Sequence, residues 1–219
     1  RAETETKNPS AFIQECMEEK IQDTVETISL QGGSVNPEFY YIYENNKVEY
    51  LCYTNQDYQT CVVQQPLLIS HIQSEIENEI EEETVSCFNS LKTIYENKGY
   101  TADMKSGNTI VKLLPEKIVT TFDYNLTLTK GDTERYQNFN IILDNNLYEM
   151  LNIATGIVYW ETTQGGAPTD TFMDLYDLKI ETQLQTDGTK IYIISEFGEG
   201  EDKFQFASRS LVRPGGITL

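Results

Sequence analysis

SAFIQECMEEKIQDTVETISLQGG, residues 10–33, decides how the fold begins. Its apolar side chains recur every three or four positions, which places them on one face of a helix. That face consists of Ile13, Met17, Ile21, Val25 and Ile28. Gly32 and Gly33 follow where a helix end needs a left-handed cap. The pattern predicts a helix from about Pro9 to Ser29 that Gly32 and Gly33 stop, with Cys16 beside its apolar face.

The glycine pair also raises the possibility of a phosphate-binding loop. The same Gln-Gly-Gly sequence recurs at residues 164–166, again after a predicted helix. Both pairs therefore meet the C-terminal end of a helix, where the helix dipole disfavours anions. The glycine fingerprints of nucleotide-binding proteins are absent from the sequence. We interpret both pairs as helix stops.

The rest of the chain mixes strand and helix patterns. A tyrosine-rich hairpin is predicted over residues 39–53, followed by a helix of nearly 30 residues between Pro66 and Gly99. Four strands, a third helix and a closing strand meander follow. No regular helix–strand alternation of the parallel type occurs, so the predicted class is α+β, with antiparallel sheets packed with one long and two or three shorter helices.

The same reading predicts two subdomains that divide near Gly99. Residues 1–99 form a helical and β-hairpin subdomain stapled by disulfides. Residues 100–219 form an antiparallel sheet with one or two helices.

The chain is strongly acidic. Its 219 residues contain 16 Lys and Arg against 35 Asp and Glu, which gives a net charge of −19. Such a charge repels phosphate backbones and anionic membrane surfaces, so we expect no nucleic-acid partner. The chain begins with Arg1 and a polar segment, and it contains no apolar run of membrane-spanning length. We expect a trimmed chain whose membrane anchor, if any, is absent from this sequence.

Four cysteines, with no C-x-x-C pair, favour disulfides over zinc. Four cysteines allow three pairings. Cys52 and Cys61 flank a predicted turn, which favours a local bridge between them. A bridge between Cys16 and Cys87 would staple two helices together. Two disulfides indicate an oxidising, extracellular compartment.

No catalytic constellation stands out, so we predict no catalytic residues, no metal and no cofactor. The only histidine, His71, starts a helix and is interpreted as a solvent-facing residue. Glycoside hydrolysis by a pair of carboxylates remains an alternative, because acidic residues are abundant and no single pair is distinguished. A structural calcium ion also remains an alternative, because oxygen-rich turns such as residues 144–146 could supply its ligands.

Aromatic residues crowd the hairpin. We select Tyr41, Tyr43, Tyr50, Tyr53 and Tyr58 as candidate binding residues, because tyrosines on a flat strand surface can form a platform for a protein or a sugar. The alternative is that they pack half-buried against helices. A single glycosylation sequon, at Asn125, agrees with secretion.

Several segments together resemble a known group of proteins. They are the Cys16 helix joined to Leu-Gln-Gly-Gly, the tyrosine-rich strands with Cys52 and Cys61, the Glu-rich helix bearing Cys87, FDYNLTLTKGDTERYQNFNIIL (122–143), LYEMLNIATGIV (147–158) and FQFASR (204–209). Across roughly residues 10–209 the chain resembles uncharacterised surface proteins of small-genome, DPANN-type archaea.

The resemblance implies an exported domain behind a single-pass anchor, with a leader similar to that of type IV pilins. It implies no reaction and no catalytic residues, and it gives Cys16, Gln31, Gly32 and Gly33 structural roles. We therefore expect a non-enzymatic cell-surface domain that contacts proteins in adhesion, host contact or filament assembly. The alternatives are a carbohydrate-active hydrolase that uses Asp/Glu pairs and a sugar-binding module that uses the tyrosines.

Overall fold

The computed structural model describes residues 8–197 and 202–212. In these residues the chain forms five helices and two sheets that are mostly antiparallel, which confirms the predicted α+β class. The helices are α1 Pro9–Leu30, α2 Leu68–Glu79, α3 Glu81–Asn97, α4 Leu147–Gln164 and α5 Thr169–Tyr176. The strands are β1 Tyr40–Tyr43, β2 Asn46–Tyr53, β3 Val62–Val63, β4 Thr101–Lys105, β5 Thr109–Leu114, β6 Lys117–Lys130, β7 Asp132–Asp144, β8 Leu178–Leu184, β9 Lys190–Glu196 and β10 Lys203–Arg209.

The chain folds into two compact units that are interleaved along the sequence. One contains the chain up to Val25 with Ile76–Lys112 and Ile118–Leu143, and the other contains Glu26–Glu75, Leu113–Lys117 and the chain from Asp144. Each unit draws on residues from both sides of Gly99. Compactness alone does not say which parts fold independently, so the division at Gly99 into subdomains stays a prediction.

The first unit packs α1 and α3 with a four-stranded sheet. Strand β6 pairs with β4, β5 and β7, and it buries alternate side chains along one face, as its sequence predicts. On α3, the Phe88 ring stacks on Tyr124 at 3.9 Å between centroids and meets Phe122 and Phe139 edge-on. The disulfide between Cys16 and Cys87 joins the two helices. This core therefore has both aromatic packing and a covalent staple.

Helix α1 ends through its glycines. Gly32 has φ +80°, and the Gly33 N–H donates to the Ile28 carbonyl at 3.0 Å, which is the hydrogen bond of a Schellman motif. A Cβ at Gly32 would lie 2.9 Å from the Glu49 backbone nitrogen. The Gln31 side chain donates to the Val35 carbonyl at 2.7 Å and holds the turn. The turn therefore places the chain directly beside β2.

The second unit contains a six-stranded sheet in the order β1-β2-β10-β9-β8, with β3 also paired to β2. Strand β10 runs parallel to β2 and antiparallel to β9. The parallel pair departs from the purely antiparallel prediction, because no local turn sets the direction of strands about 150 residues apart. A second disulfide, between Cys52 and Cys61, links β2 to the segment before β3.

The predicted helix between Pro66 and Gly99 is two helices, which corrects the single long helix. The chain departs from helix only at Ile80, whose φ and ψ are −92° and −3°. The Ile80 N–H still donates to Ile76, and its carbonyl accepts from Thr84, so the hydrogen-bond ladder continues through the break.

The sequence also predicts a turn near residues 198–200 and a linker or edge strand over residues 211–219. The predicted turn and residues 213–219 lie outside the described residues. Of the helices in the part that is described, none combines the length and apolarity that crossing a membrane requires.

Candidate functional site

The predicted tyrosines gather at one end of the six-stranded sheet. In the β1–β2 hairpin Tyr41 pairs with Val48 and Tyr43 with Asn46, so both tyrosines share the face that carries Tyr50. Tyr41, Tyr43 and Tyr53 pack there against a buried cluster of Val48, Tyr50, Ile191 and Ala207. Four of the five candidate tyrosines therefore lie on a single sheet face.

A β-bulge explains why Tyr53 joins this face. Simple alternation along β2 would put Tyr50 and Tyr53 on opposite faces. The register against β10 shifts, however, because Ala207 pairs with Tyr50 while Ser208 pairs with Cys52. Leu51 is the extra residue on β2, and it shifts the alternation of side chains by one position, so that Tyr53 lies on the same face as Tyr50. Tyr50 and Tyr53 consequently lie with their rings 5.0 Å apart.

Phe39 completes an aromatic cluster that the tyrosine pattern alone did not include. Its ring lies 4.8 Å from Tyr50 and 4.6 Å from Tyr53, and the second contact is edge-to-face. The Arg209 guanidinium lies over Tyr53 at 5.6 Å and donates to the carbonyls of Asp187 and Thr54. The three aromatic rings and the Arg209 guanidinium therefore stabilise one another through aromatic and cation–π contacts.

The phenol groups of Tyr50 and Tyr41 have neutral hydrogen-bond partners. Tyr50 Oη lies 2.8 Å from Thr189 Oγ1, and Tyr41 Oη donates to Gln185 Oε1 at 3.4 Å. Burial raises the pKa of Tyr50, and burial followed by the nearby Glu44 and Glu181 carboxylates raises the pKa of Tyr43. Both phenols stay neutral at physiological pH.

Several apolar side chains are exposed around the same sheet edge. Strands β1 and β3 both pair with β2 on the side away from β10. We call the following residues the hairpin surface: Phe39, Tyr40, Ile42, Tyr58, Val62 and Val63. Their exposed fractions include 57% for Ile42, 69% for Tyr58 and 67% for Val62. A group of exposed apolar side chains of this kind can form an interaction site.

The five candidate tyrosines thus have unequal access to a partner. Tyr58 is well exposed, whereas Tyr50 is 5% exposed and belongs to the core. Tyr41, Tyr43 and Tyr53 are half-buried. Sequence alternation could not separate them, because accessibility depends on β9 and β10, which come from the far end of the chain.

His71 lies in a hydrogen-bonded cluster instead of facing solvent alone. Its Nε2 lies 2.8 Å from Ser34 Oγ, and Ser34 Oγ donates to Glu49 Oε2 at 2.6 Å. Because the hydroxyl proton goes to Glu49, the histidine nitrogen is the donor to Ser34 in this arrangement. It cannot then take the serine proton. This Ser–His pair holds the loop after α1 against β2 and α2, and its geometry does not match that of a catalytic triad.

Glu49 gives this cluster a testable pH dependence. Burial raises its pKa above 4.5, Glu75 adds to the rise, and the Ser34 hydrogen bond and His71 oppose it. A raised pKa in the folded state contributes stability at low pH that is lost as the pH rises through that pKa. Glu49→Gln, which stays neutral, should therefore gain stability relative to the wild type between pH 4.5 and 7. Urea unfolding across this range checks the prediction, and parallel stability curves would contradict it.

A buried charged cluster joins α4 to β9. Lys190 Nζ lies 2.7 Å from Glu161 Oε1 and 2.6 Å from the Gly165 carbonyl, and Tyr192 Oη also donates to Glu161 Oε1. The Glu161 side chain is fully buried, and that of Lys190 is 18% exposed. Burial and the Glu161 carboxylate raise the pKa of the Tyr192 phenol. This cluster ties a helix to the sheet and was not predicted from the sequence.

An acidic pocket of about 390 Å³ lies at the start of α4. We define it by its carboxylates, Glu116, Glu149, Asp177 and Glu196, and by the aromatic side chains of Tyr176 and Phe197. Glu149 Oε1 accepts from the Glu116 N–H at 3.1 Å, and Asn146 donates to Glu196. Glu149 Oε2 is buried, and none of the described residues hydrogen-bonds to it.

Among the described residues, one group has metal-ligand spacing, Cys16, Glu83 and Cys87, but its two sulfurs form a disulfide and are no thiolates. Asn125, the predicted glycosylation site, lies in β6 opposite Lys105 of β4 and is partly exposed. Glycosylation there stays a prediction.

Comparison with known proteins gives no match. No protein-family model matches the chain, and neither a curated protein nor a solved structure is significantly similar to it.

Proposed function

We propose that this chain is a non-enzymatic domain of the cell surface that binds another protein, or a second copy of itself, through the hairpin surface. The observation that carries the proposal is the exposed apolar edge of β1 and β3. Ile42 of β1 and Val62 of β3 are more than half exposed, and so is Tyr58 in the loop between β2 and β3. The rings of Phe39, Tyr50 and Tyr53 pack against one another beside this edge.

Two features support an extracellular setting. Both predicted disulfides are formed, and disulfides are typical of extracellular proteins. The acidic surface keeps such a domain soluble while leaving the apolar edge as its point of contact.

The proposal predicts that polar substitutions at the hairpin surface abolish binding to cells. A fluorescently labelled domain is added to the cells that naturally produce it and to their neighbours. The triple variant Ile42→Ser, Tyr58→Ser, Val62→Ser should lose at least tenfold in bound fluorescence, since central apolar anchors carry most of an interface's energy. A matched control replaces Val85, Ile110 and Leu184, which are also exposed, with serine. Equal loss in both triple variants would contradict the proposal.

The hydrolase alternative has one observation in its favour, which is the acidic pocket with its two aromatic side chains. Release of reducing sugar from oligosaccharides, lost in Glu149→Gln, would support it. The sugar-binding alternative is weaker, because the rings of Phe39, Tyr50 and Tyr53 contact one another and leave little free face for a sugar ring.

A further inference from the structure

We infer that a second pocket, beside the break between α2 and α3, binds one neutral sugar ring of a carbohydrate. Its volume of about 400 Å³ suits a ligand of this size. We call it the polar pocket and define it by the polar side chains that line it, which are Glu77, Asn78, Glu81, Asn108, Thr109 and Tyr124. All of them belong to the first unit, and none belongs to the hairpin surface, so the inference stands independently of the proposed function.

Tyr124 supplies the observation that points to a ligand. The side chain is only 6% exposed, and the Phe88 ring stacks on it. None of the described residues forms a hydrogen bond with its hydroxyl. In the described part of the chain, the enclosed side-chain oxygens without a partner are Glu149 Oε2 and Glu161 Oε2, so the Tyr124 hydroxyl is not enclosed. It is an unpaired group on a nearly buried side chain, and it opens toward the polar pocket that Tyr124 lines.

The other polar groups determine what the ligand must offer. Burial, followed by the nearby Glu81 carboxylate, raises the pKa of the Tyr124 phenol above 10.0, so at neutral pH the hydroxyl keeps its proton and can donate it. Glu77 Oε1 accepts from the Val111 N–H at 2.8 Å, which fixes this carboxylate beside the start of β5. The carboxylates accept hydrogen bonds, and the amide of Asn108 both donates and accepts. A ligand that fits must therefore donate and accept at closely spaced atoms.

This requirement favours a neutral hydroxyl-bearing ligand over an ion. An ammonium group has no lone pair with which to accept the Tyr124 proton. An anion is repelled by Glu77 and Glu81, which no lysine or arginine of the pocket lining neutralises. Within the described residues, no three metal-binding side chains bring their ligand atoms together at this pocket. A sugar ring meets the requirement, because each of its neighbouring hydroxyls both donates and accepts.

The probes are methyl α-mannopyranoside, methyl β-galactopyranoside and methyl N-acetyl-β-glucosaminide, each titrated into the ¹⁵N-labelled chain and followed by NMR. We expect at least one of them to cause saturable shifts of the Asn78, Glu81, Asn108 and Thr109 amides. Tyr124→Phe removes only the unpaired hydroxyl, so it should weaken binding about five- to tenfold. Its Tm should not fall, because this hydroxyl has no hydrogen-bond partner in the described chain.

The matched control is Tyr159→Phe, which alters an exposed tyrosine of α4 outside the polar pocket and should leave binding unchanged. Three results would overturn the inference. They are the absence of saturable shifts with all three glycosides, equal binding by Tyr124→Phe and the wild type, and saturation of the same amides by calcium chloride or ethylammonium chloride without glycoside binding.

Failure of this inference is distinguishable from failure of the proposed function. The hairpin-surface triple variant should bind the glycoside as the wild type does, because its substitutions lie outside the polar pocket. The cell-binding experiment is repeated with excess glycoside, which occupies the polar pocket in every variant. Any difference that remains between the two triple serine variants then reports on the hairpin surface alone.

Discussion

Replacing Lys190 with methionine is expected to lower the free energy of unfolding by about 3–5 kcal/mol, because it leaves a buried carboxylate without its cation. Glu161 is fully buried, so water cannot take the place of Lys190. After the substitution the Tyr192 hydroxyl would be the remaining side-chain donor to Glu161 Oε1. For a chain of this size the loss corresponds to a fall in Tm of roughly 6–20 °C. Thermal and urea unfolding measure it.

Two variants control this experiment. Lys179→Met removes a lysine from an exposed pair with Glu181 and should cost at most about 1 kcal/mol. The double variant Glu161→Met, Lys190→Met replaces the buried pair with apolar side chains and should recover most of the lost stability. If Lys190→Met costs no more than Lys179→Met, the buried pair does not stabilise the α4–β9 contact.

Removing the Cys16–Cys87 disulfide is expected to cost more stability than removing Cys52–Cys61. The bridges span 71 and 9 residues, for which loop-closure entropy gives about 4 and about 2–3 kcal/mol. Unfolding of the variants Cys16→Ser, Cys87→Ser and Cys52→Ser, Cys61→Ser compares the two bridges directly. The reverse order would show that packing of the β2–β3 segment, and not chain entropy, determines their effects.

The sequence predicts those parts of the fold that depend on neighbouring residues. Periodicity located β6 and α4, and the glycine pairs located the ends of α1 and α4. The two ends use different hydrogen bonds, since Gly33 donates to Ile28 in a Schellman motif while Gly165 donates to Glu161 in a simpler left-handed cap. The chemistry of the glycines was predictable, and the geometry of each cap was not.

Features that depend on distant residues escaped the sequence analysis. The bulge at Leu51 arises from pairing with β10, so the hairpin alone could not reveal that Tyr53 lies beside Tyr50. The Ser34–His71 contact likewise joins the loop after α1 to helix α2 without a recognisable pattern. Glu161 did carry a signal, because it lies four residues after Ile157 on the buried face of α4. An acidic side chain on the apolar face of a helix needs a buried hydrogen-bonding partner, and Lys190 is that partner.

The central claim is that the hairpin surface is where this domain contacts a protein. Photo-crosslinking measures this most directly, with benzoylphenylalanine placed at Ile42, Tyr58 or Val62 and, as a control, at the exposed Asp103 of β4. On the surface of the cells that produce the chain, the three hairpin positions should each give one discrete adduct that excess unlabelled wild type suppresses and the triple serine variant does not. An adduct of twice the chain mass identifies self-assembly, and any other mass identifies a separate partner. Adducts that are absent, or that form equally from Asp103, would contradict the account.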